Sequence, residues 1–378
     1  MKWRVMLSDI DLDDEEINAV VNVLKSKWLS MGPITQKFEQ EFAKYLGIKH
    51  AFAVSNGTAA LHLALKALNI RQGDEVIVPS LTFVATANVI LYCNAKPVFA
   101  DIISFDNFNV SPEDIQEKIT NKTKAIIVVH YAGYPCDMKA IIEIAEDYKL
   151  KVIEDSAHAI GAEYKGKKCG TIGDIGCFSF FANKNLITGE GGMIVTNDDK
   201  LAERIKILRS HGMTSLTWDR YSGHSYTYDV VDLGHNYRLN EIASAIGLIQ
   251  LKKLEKNNKK RKELVMEYRK RLKGFELISI PFKKFGEKSS YHIFPILLSE
   301  EIDRFEFMQK LREKGIQTSI HYPPIHLFTY YRKLFGFKEG ILPKTEYVGK
   351  HEVTLPLHPL MTKNDIEFIC KIIKNNLS

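Results

Sequence analysis

Residues 179–192 read SFFANKNLITGEGG, and the lysine at their centre, Lys184, is the residue around which the fold can be reasoned out. An apolar run precedes it (Ile175, Cys177, Phe178, Phe180, Phe181) and predicts a buried strand, while the small segment Gly189-Glu190-Gly191-Gly192 follows. A lysine at the lip of an apolar core loses hydration, and its pKa falls. The resulting neutral amine can attack a carbonyl and form a Schiff base. Taken alone, the same residues also fit a solvated lysine at a strand end.

The flanking sequence alternates between short β-rich runs and helical spacing. Strands are expected at 51–54, 75–78, 96–101, 124–129 and 151–154, with helices at 58–68 and 82–92 and further helices opening near Ser111-Pro112 and Asp137. Such alternation implies an α/β fold whose mostly parallel sheet is covered on both faces. Two helices, 13–25 and about 36–45, precede the first strand and read as an N-terminal arm on the main domain. Beyond Lys184 come a strand at 193–196 and a helix at 198–210, then a long helix from about Leu239 to Leu272. Strand-like pieces between 275 and 298, a helix at 303–314, a strand at 318–321 and a last helix at 364–374 describe a small α+β region. The expected division is residues 1–250 for arm and large domain, and 251–378 for connecting helix and small C-terminal domain.

Two further constellations fall at strand ends. Ser55-Asn56-Gly57-Thr58-Ala59-Ala60 joins a strand to a helix, and its small residues leave backbone N–H groups free to cradle a phosphate. An ordinary turn has the same composition. Asp155, in Val152-Ile153-Glu154-Asp155-Ser156-Ala157-His158, lies just past a buried strand at the sheet edge where ligands of open α/β sheets collect. A carboxylate there can keep a heterocyclic nitrogen protonated, or simply cap a loop. No P-loop or dinucleotide fingerprint is present, because the glycines at 189–192 lack the spacing and precede a strand.

Composition narrows the class. The net charge of +6 arises from 52 basic and 46 acidic residues without one basic block, and the densest run, Lys253 to Lys262, continues an amphipathic helix. It reads as a solvated face, so no nucleic-acid partner is expected. Five scattered cysteines show no metal-ligand spacing and suit a reducing compartment. With no apolar leader and no run long enough to span a bilayer, the expectation is a cytoplasmic protein without membrane association.

A phosphate cradle, a ring-nitrogen aspartate and a lysine on one sheet edge together describe a pyridoxal 5'-phosphate (PLP) site. The segments WLSMGP, AVSNGTAALHLAL, VPSLTFVATANVI, YPCDM, VIEDSAHAIGAEYKG, GDIGCFSFFANKNLITGEGGM, GHNYRLNEIASAIGLIQL, HYPPIH and LPLHP occur in order along nearly the whole chain. In these the sequence resembles the DegT/DnrJ/EryC1/StrS family of sugar aminotransferases, which have the fold type I (aspartate aminotransferase-like) architecture. The resemblance implies that Lys184 is the Schiff-base lysine and general acid/base, and that Asp155 pairs with the pyridine nitrogen. It further implies that Phe83 stacks on the cofactor, that His158 lies beside its ring, and that Gly57, Thr58, Ala59 and Ser179 bind its phosphate. Asn236 would reach a phosphate in the neighbouring subunit of a homodimer with shared active sites. The implied substrates are a nucleotide-linked keto sugar and glutamate. NLITGEGG, with Asn183 before the lysine, resembles enzymes that place the amine at sugar C4 rather than C3; ketocyclitols and 3-keto sugars are the alternatives. Lys184 separates the chain from the family's dehydratase branch, which carries histidine there, and a non-catalytic regulator keeping the fold is the remaining rival. Substrate choice is expected to lie in the loops around Trp28 to Pro33, Arg220 to Tyr228 and His321 to Tyr331.

Overall fold

The structure, a computed structural model, describes residues 3–215, 227–283 and 285–377. Seven strands form the main sheet: β1 (His50–Val54), β2 (Glu75–Pro79), β3 (Lys96–Ala100), β4 (Thr123–Val129), β5 (Lys151–Asp155), β6 (Ile175–Ser179) and β7 (Gly192–Thr196). Their order across the sheet is β1-β7-β6-β5-β4-β2-β3. Only β7 runs against its neighbours; all other pairings are parallel. The C-terminal ends of β1, β2, β4, β5 and β6 therefore share one edge, and β7 begins there.

Both faces of the sheet are buried, as the apolar strands require. Alternate residues separate cleanly: Val76, Val78, Ile127 and Ile153 face the helices 57–67, 85–92 and 199–208, whereas Ile77, Ile126, Val128 and Val152 face Met138 and Ile141 on the opposite side. Toward β1 that second face is closed by Phe38, Phe42, Phe178 and Phe180. The helix Glu241–Arg271, 31 residues long, carries the chain onward, and the expected boundary at residue 250 falls inside it. Behind it, β8 (Ile278–Ser279), β9 (Phe294–Leu298) and β10 (Glu352–Leu355) form an antiparallel sheet backed by helices Arg304–Glu313 and Lys363–Leu377. No described helix is long and apolar enough to cross a membrane.

Several local expectations change. The helix expected at 82–92 begins at Ala85, so residues 80–84 form a loop that brings Phe83 to the surface. The strand expected at 318–321 is reduced to one bridge, Ser319 with Thr354, because the His321 backbone N–H donates to the Glu352 side chain rather than to a strand neighbour. Glu352–Leu355, unforeseen as a strand, pairs along its whole length with the central strand β9. The first residues also depart from a simple arm: Val5 bridges Ile316, and Leu7 exchanges hydrogen bonds with Gln317 and Leu357.

The arm helices Asp14–Ser26 and Pro33–Leu46 pack on the long helix, and one side chain fastens the second of them. Glu241, on the first turn of the long helix, accepts from the backbone N–H groups of Gly32 (2.9 Å), Ile34 (2.9 Å) and Thr35 (2.8 Å) and from the Thr35 hydroxyl (2.7 Å). It thus caps a helix start that has no side-chain cap of its own. Glu241→Ala strands these buried donors and is expected to lower stability by about 3 kcal/mol. Urea denaturation measures this, and an unchanged midpoint would show that the cap contributes nothing.

Candidate active site

The shared strand edge opens into a cavity of about 430 Å³ lined by Asn56, Gly57 and Thr58 just past β1, by the ends of β4, β5 and β6, and by the 82–86 loop and helix start, Lys184 and the His321-Tyr322 pair. Register explains the convergence. Val54 lies opposite Gly192, Ser179 opposite the same Gly192, and Asp155 opposite both Cys177 and Val129, so the strand ends form a nearly level row. Gly192 permits this closeness, since a Cβ there would stand 2.6 Å from the Asn56 carbonyl carbon.

Lys184 sits on a loop closed at its base by Phe180 N–H donating to the Gly191 carbonyl and Thr188 N–H donating to the Phe180 carbonyl, each at 2.8 Å. The next residue anchors it from the other side. Asn185 donates to Asn258 Oδ1 (2.7 Å) and to the Ser290 carbonyl (2.8 Å), and its amide oxygen pairs with His292 Nδ1 at 3.0 Å. Desolvation lowers the Lys184 pKa to about 8, against an opposing pull from the Asp155 carboxylate. An amine so placed is neutral far more often near pH 7 than a surface lysine.

Asp155 is only 5% exposed. Its carboxylate accepts from the Thr86 hydroxyl (2.9 Å) and the Ala157 N–H (3.1 Å), both uncharged donors, and burial raises its pKa despite them. A cationic N–H in the cavity would satisfy it, which is the donor a pyridinium ring supplies. Beneath it, Glu154 faces away into the core and accepts from Gly170, Ile172 and Gly173 N–H groups at 2.6–2.7 Å. Glu154 also pairs with His130 Nε2 at 2.9 Å, and His130 Nδ1 accepts from Cys136 N–H, so Nε2 is the nitrogen that carries the proton. The two consecutive acids of β5 thus have separate roles, one fixing the strand end and one facing the cavity.

Opposite them, Asn56 caps the helix Gly57–Ala67 by accepting from Ala59 N–H at 2.8 Å. Gly57 and Thr58 line the cavity, and a Cβ on Gly57 would approach the Ser179 Cβ to 2.9 Å, so helix start and Ser179 hydroxyl form one polar cradle. One residue expected in this cradle stands apart from the cavity. Ala59 is buried behind the cavity wall with its N–H already taken by Asn56, leaving Gly57 and Thr58 as the helix-start members of the cradle.

Phe83, 57% exposed, and His158 also line the cavity. His158 Nε2 pairs with the Tyr322 hydroxyl at 3.0 Å, Tyr322 and Phe83 rings lie 6.1 Å apart, and burial holds the His158 pKa well below its ordinary value, keeping the ring neutral. Asn236 is not brought to this cavity by its own chain. It is exposed, bridged to Ser210 on the backbone. Sequence reading missed Thr86, and it reached His321 and Tyr322 only as part of a loop expected to choose substrate, without assigning either a role. The Pro323-Pro324 pair after Tyr322 restricts the backbone of this loop but carries no information about which strand ends the loop covers. Of the loops expected to choose substrate, 220–226 lies outside the described residues.

The sequence profile described as the DegT/DnrJ/EryC1/StrS aminotransferase family matches residues 10–374. The chain belongs to this family. It is a sugar aminotransferase, and its architecture is the aspartate aminotransferase-like fold type I. The spore coat polysaccharide biosynthesis protein SpsC of Bacillus subtilis is 41% identical over 366 residues, covering 96% of this chain and 94% of that protein. PseC of Helicobacter pylori, an aminotransferase involved in the biosynthesis of pseudoaminic acid, superposes with a TM-score of 0.91 at 33% identity over 99% of both chains. Spr1654 of Streptococcus pneumoniae in its PLP-form gives 0.91 at 30% identity, covering 99% of this chain and 98% of that one.

The opposing effects on Lys184 yield a sign that can be measured in the cofactor-free chain. Asp155 raises the lysine pKa, so Asp155→Asn should move the midpoint of Lys184 acylation by a limiting reagent below the wild-type value of about 8. A wild-type midpoint near the ordinary 10.5 would refute the burial argument.

Proposed function

We propose that this aminotransferase uses PLP bound at Lys184 to transfer an amino group from glutamate to a nucleotide-linked sugar bearing a 4-keto group. The observation that carries the reading is the facing of a lysine of lowered pKa and a buried, under-donated carboxylate across one cavity, with a polar helix start on its far side. When bound, PLP supplies an electron sink and carries the amine between the two substrates. Its fit rests on the donor set of this chain. Asp155 would hold the proton on the ring nitrogen, and Gly57 and Thr58 N–H groups with the Ser179 hydroxyl would bind the phosphate. Phe83 and neutral His158 would flank the ring without adding positive charge beside it. Lys184 Nζ, partly neutral at working pH, can take a proton from the substrate carbon and return it, which is the work of a general acid/base.

The preference for C4 rests on NLITGEGG and on Asn183, which lines the cavity beside Lys184. Product NMR after incubation with a 4-keto sugar nucleotide and glutamate should show nitrogen at C4 and release of 2-oxoglutarate. Nitrogen at C3 would remove the regiochemical part of the proposal while leaving the aminotransferase standing. A cytoplasmic setting suits the five cysteines, all buried thiols.

We further infer a homodimer in which Asn236 of each chain completes the other's site, since Asn236 is exposed away from its own cavity. It precedes a helix whose Ala243, Ser244, Ala245 and Gly247 suit close packing. In a two-fold dimer a loop given to the neighbour is returned by symmetry. Lys184→Ala should abolish turnover, and Asn236→Asp should repel the cofactor phosphate. Mixed in equal amounts and allowed to exchange, the two inactive variants should regain about a quarter of wild-type activity, because about half the dimers are hybrids with one intact site. No recovery despite exchange would place both residues at one chain's site.

A further inference from the structure

Behind the cavity wall, a continuous hydrogen-bond chain runs from the cavity into the small sheet. His321 lines the cavity and is 8% exposed; its Nδ1 meets the Thr354 hydroxyl at 2.8 Å, and that hydroxyl is bonded in turn to Glu352 Oε1. The other Glu352 oxygen accepts the His321 backbone N–H at 2.7 Å, which fixes acid and imidazole relative to one another. Glu352 and Thr354 are fully buried and stand two residues apart on β10, so their side chains share one face of the strand. With Nδ1 committed to Thr354, Nε2 is the His321 nitrogen left for the cavity; among the described residues it has no hydrogen bond.

A hydroxyl has a single proton, and this makes the chain directional. If Glu352 is protonated, it donates to Thr354, Thr354 donates to Nδ1, and neutral His321 must carry its own proton on Nε2. If Glu352 is ionised, Thr354 turns to donate to the carboxylate, Nδ1 must donate to Thr354, and Nε2 presents a lone pair. We propose that Glu352, acting through Thr354, sets which nitrogen of His321 bears the proton, and so whether His321 donates to or accepts from a substrate oxygen in the cavity. The conversion is balanced. The Glu352 proton passes to Thr354 Oγ1, the Thr354 proton passes to Nδ1, and the Nε2 proton leaves to a base in the cavity, so one proton departs overall and comes, in effect, from Glu352. Glu352 is a positioning residue in this scheme, while His321 is the group that touches substrate. The role of His321 rests on the proposed function; the coupling itself does not.

The electrostatics suit the task. Burial raises the Glu352 pKa to about 8, and burial lowers that of His321 to about 4, so the imidazole stays neutral while the acid titrates. The titratable groups facing the acid are Arg304 on the helix behind β10, Tyr131, whose hydroxyl bonds the His321 carbonyl, and Tyr322; Lys184, His158 and His292 face His321, and burial keeps both of those imidazoles neutral. Arg304 donates to the Gly349 carbonyl and, at 3.5 Å, to the Glu352 carbonyl rather than to its carboxylate, which leaves the acid free to exist in both forms. Below about pH 8 His321 is therefore an Nε2 donor, suited to a sugar keto or hydroxyl oxygen, and above it an acceptor.

The test is NMR of the full-length, cofactor-loaded protein labelled in its histidine ring nitrogens, with His321 assigned by comparison with His321→Asn. From about pH 6 to about pH 10 the wild-type ring should change from the Nε2–H to the Nδ1–H form without passing through imidazolium. Glu352→Gln, whose amide donates as the protonated acid does, should hold the Nε2–H form throughout. Thr354→Val should uncouple the ring from pH, and Thr354→Ser should restore the switch, a rescue that a merely structural role would not produce. A wild-type tautomer constant over this range, or a switch that persists in Thr354→Val, overturns the proposal. Lys184 titrates nearby in the free chain, so the tautomer rather than the rate is the readout. Switching in a protein that aminates no sugar would sustain the coupling and sink the functional reading; a fixed tautomer in an active aminotransferase would do the opposite.

Discussion

An amine and a carboxylate share the apolar end of a parallel sheet, and neither has a full set of partners there. Placing charge in such surroundings is unfavourable unless each group is compensated. Lys184 answers by shedding its proton more readily, and Asp155 by holding one more tightly. The surrounding chain keeps this arrangement from relaxing. Glu154 ties the 170–173 turn and His130 to the strand carrying Asp155, and Asn185 ties the lysine loop to the long helix and to Ser290. The most polar members of the cavity are thus held in place by Glu154 and Asn185, each of which makes several hydrogen bonds.

Much of this was legible in the sequence, for an identifiable reason. Asp155, Gly57 and Thr58 sit at a strand end or helix start, where periodicity locates the edge of the sheet, and Lys184 lies on the loop just past a strand; parallel strands bring such ends together whatever their separation along the chain, while Ser179 was named through the family resemblance. Phe83 was legible through its motif, although the helix expected to carry it starts at Ala85, with Thr86 bonded to Asp155. What stayed hidden depends on partner choice. Ala59 has the right composition for a cradle, but Asn56 takes its N–H first. Tyr322, His321 and Glu352 approach from a region more than 130 residues beyond Lys184, and nothing in their local pattern tells that a strand would yield its backbone pairing to a buried acid.

The two acids that organise the periphery, Glu241 and Glu352, illustrate one principle at different depths. Each accepts backbone N–H from another segment of the chain, three such groups at Glu241 and one at Glu352, where regular secondary structure leaves donors unmatched. At Glu241 the donors are a helix start. At Glu352 the donor is His321, on a loop at the cavity wall, so the same kind of bond that finishes a fold elsewhere here meets the cavity.

The position of β7 has a bearing on how the chain assembles. β1 is made early in synthesis, yet its strand partner among the described residues is the seventh strand, some 140 residues later, and the cap for the helix before β1 arrives only with Glu241. The strands β2 to β5 can pair in the order of their synthesis or nearly so, whereas the edge bearing Asn56, Gly57 and Thr58 must wait for a long loop to close. Until then an apolar strand lacks a neighbour, a circumstance that favours mispairing. The half of the site that would hold a phosphate thus waits on a strand made some 140 residues after β1, and a ligand that binds only the finished edge would favour its closure by mass action.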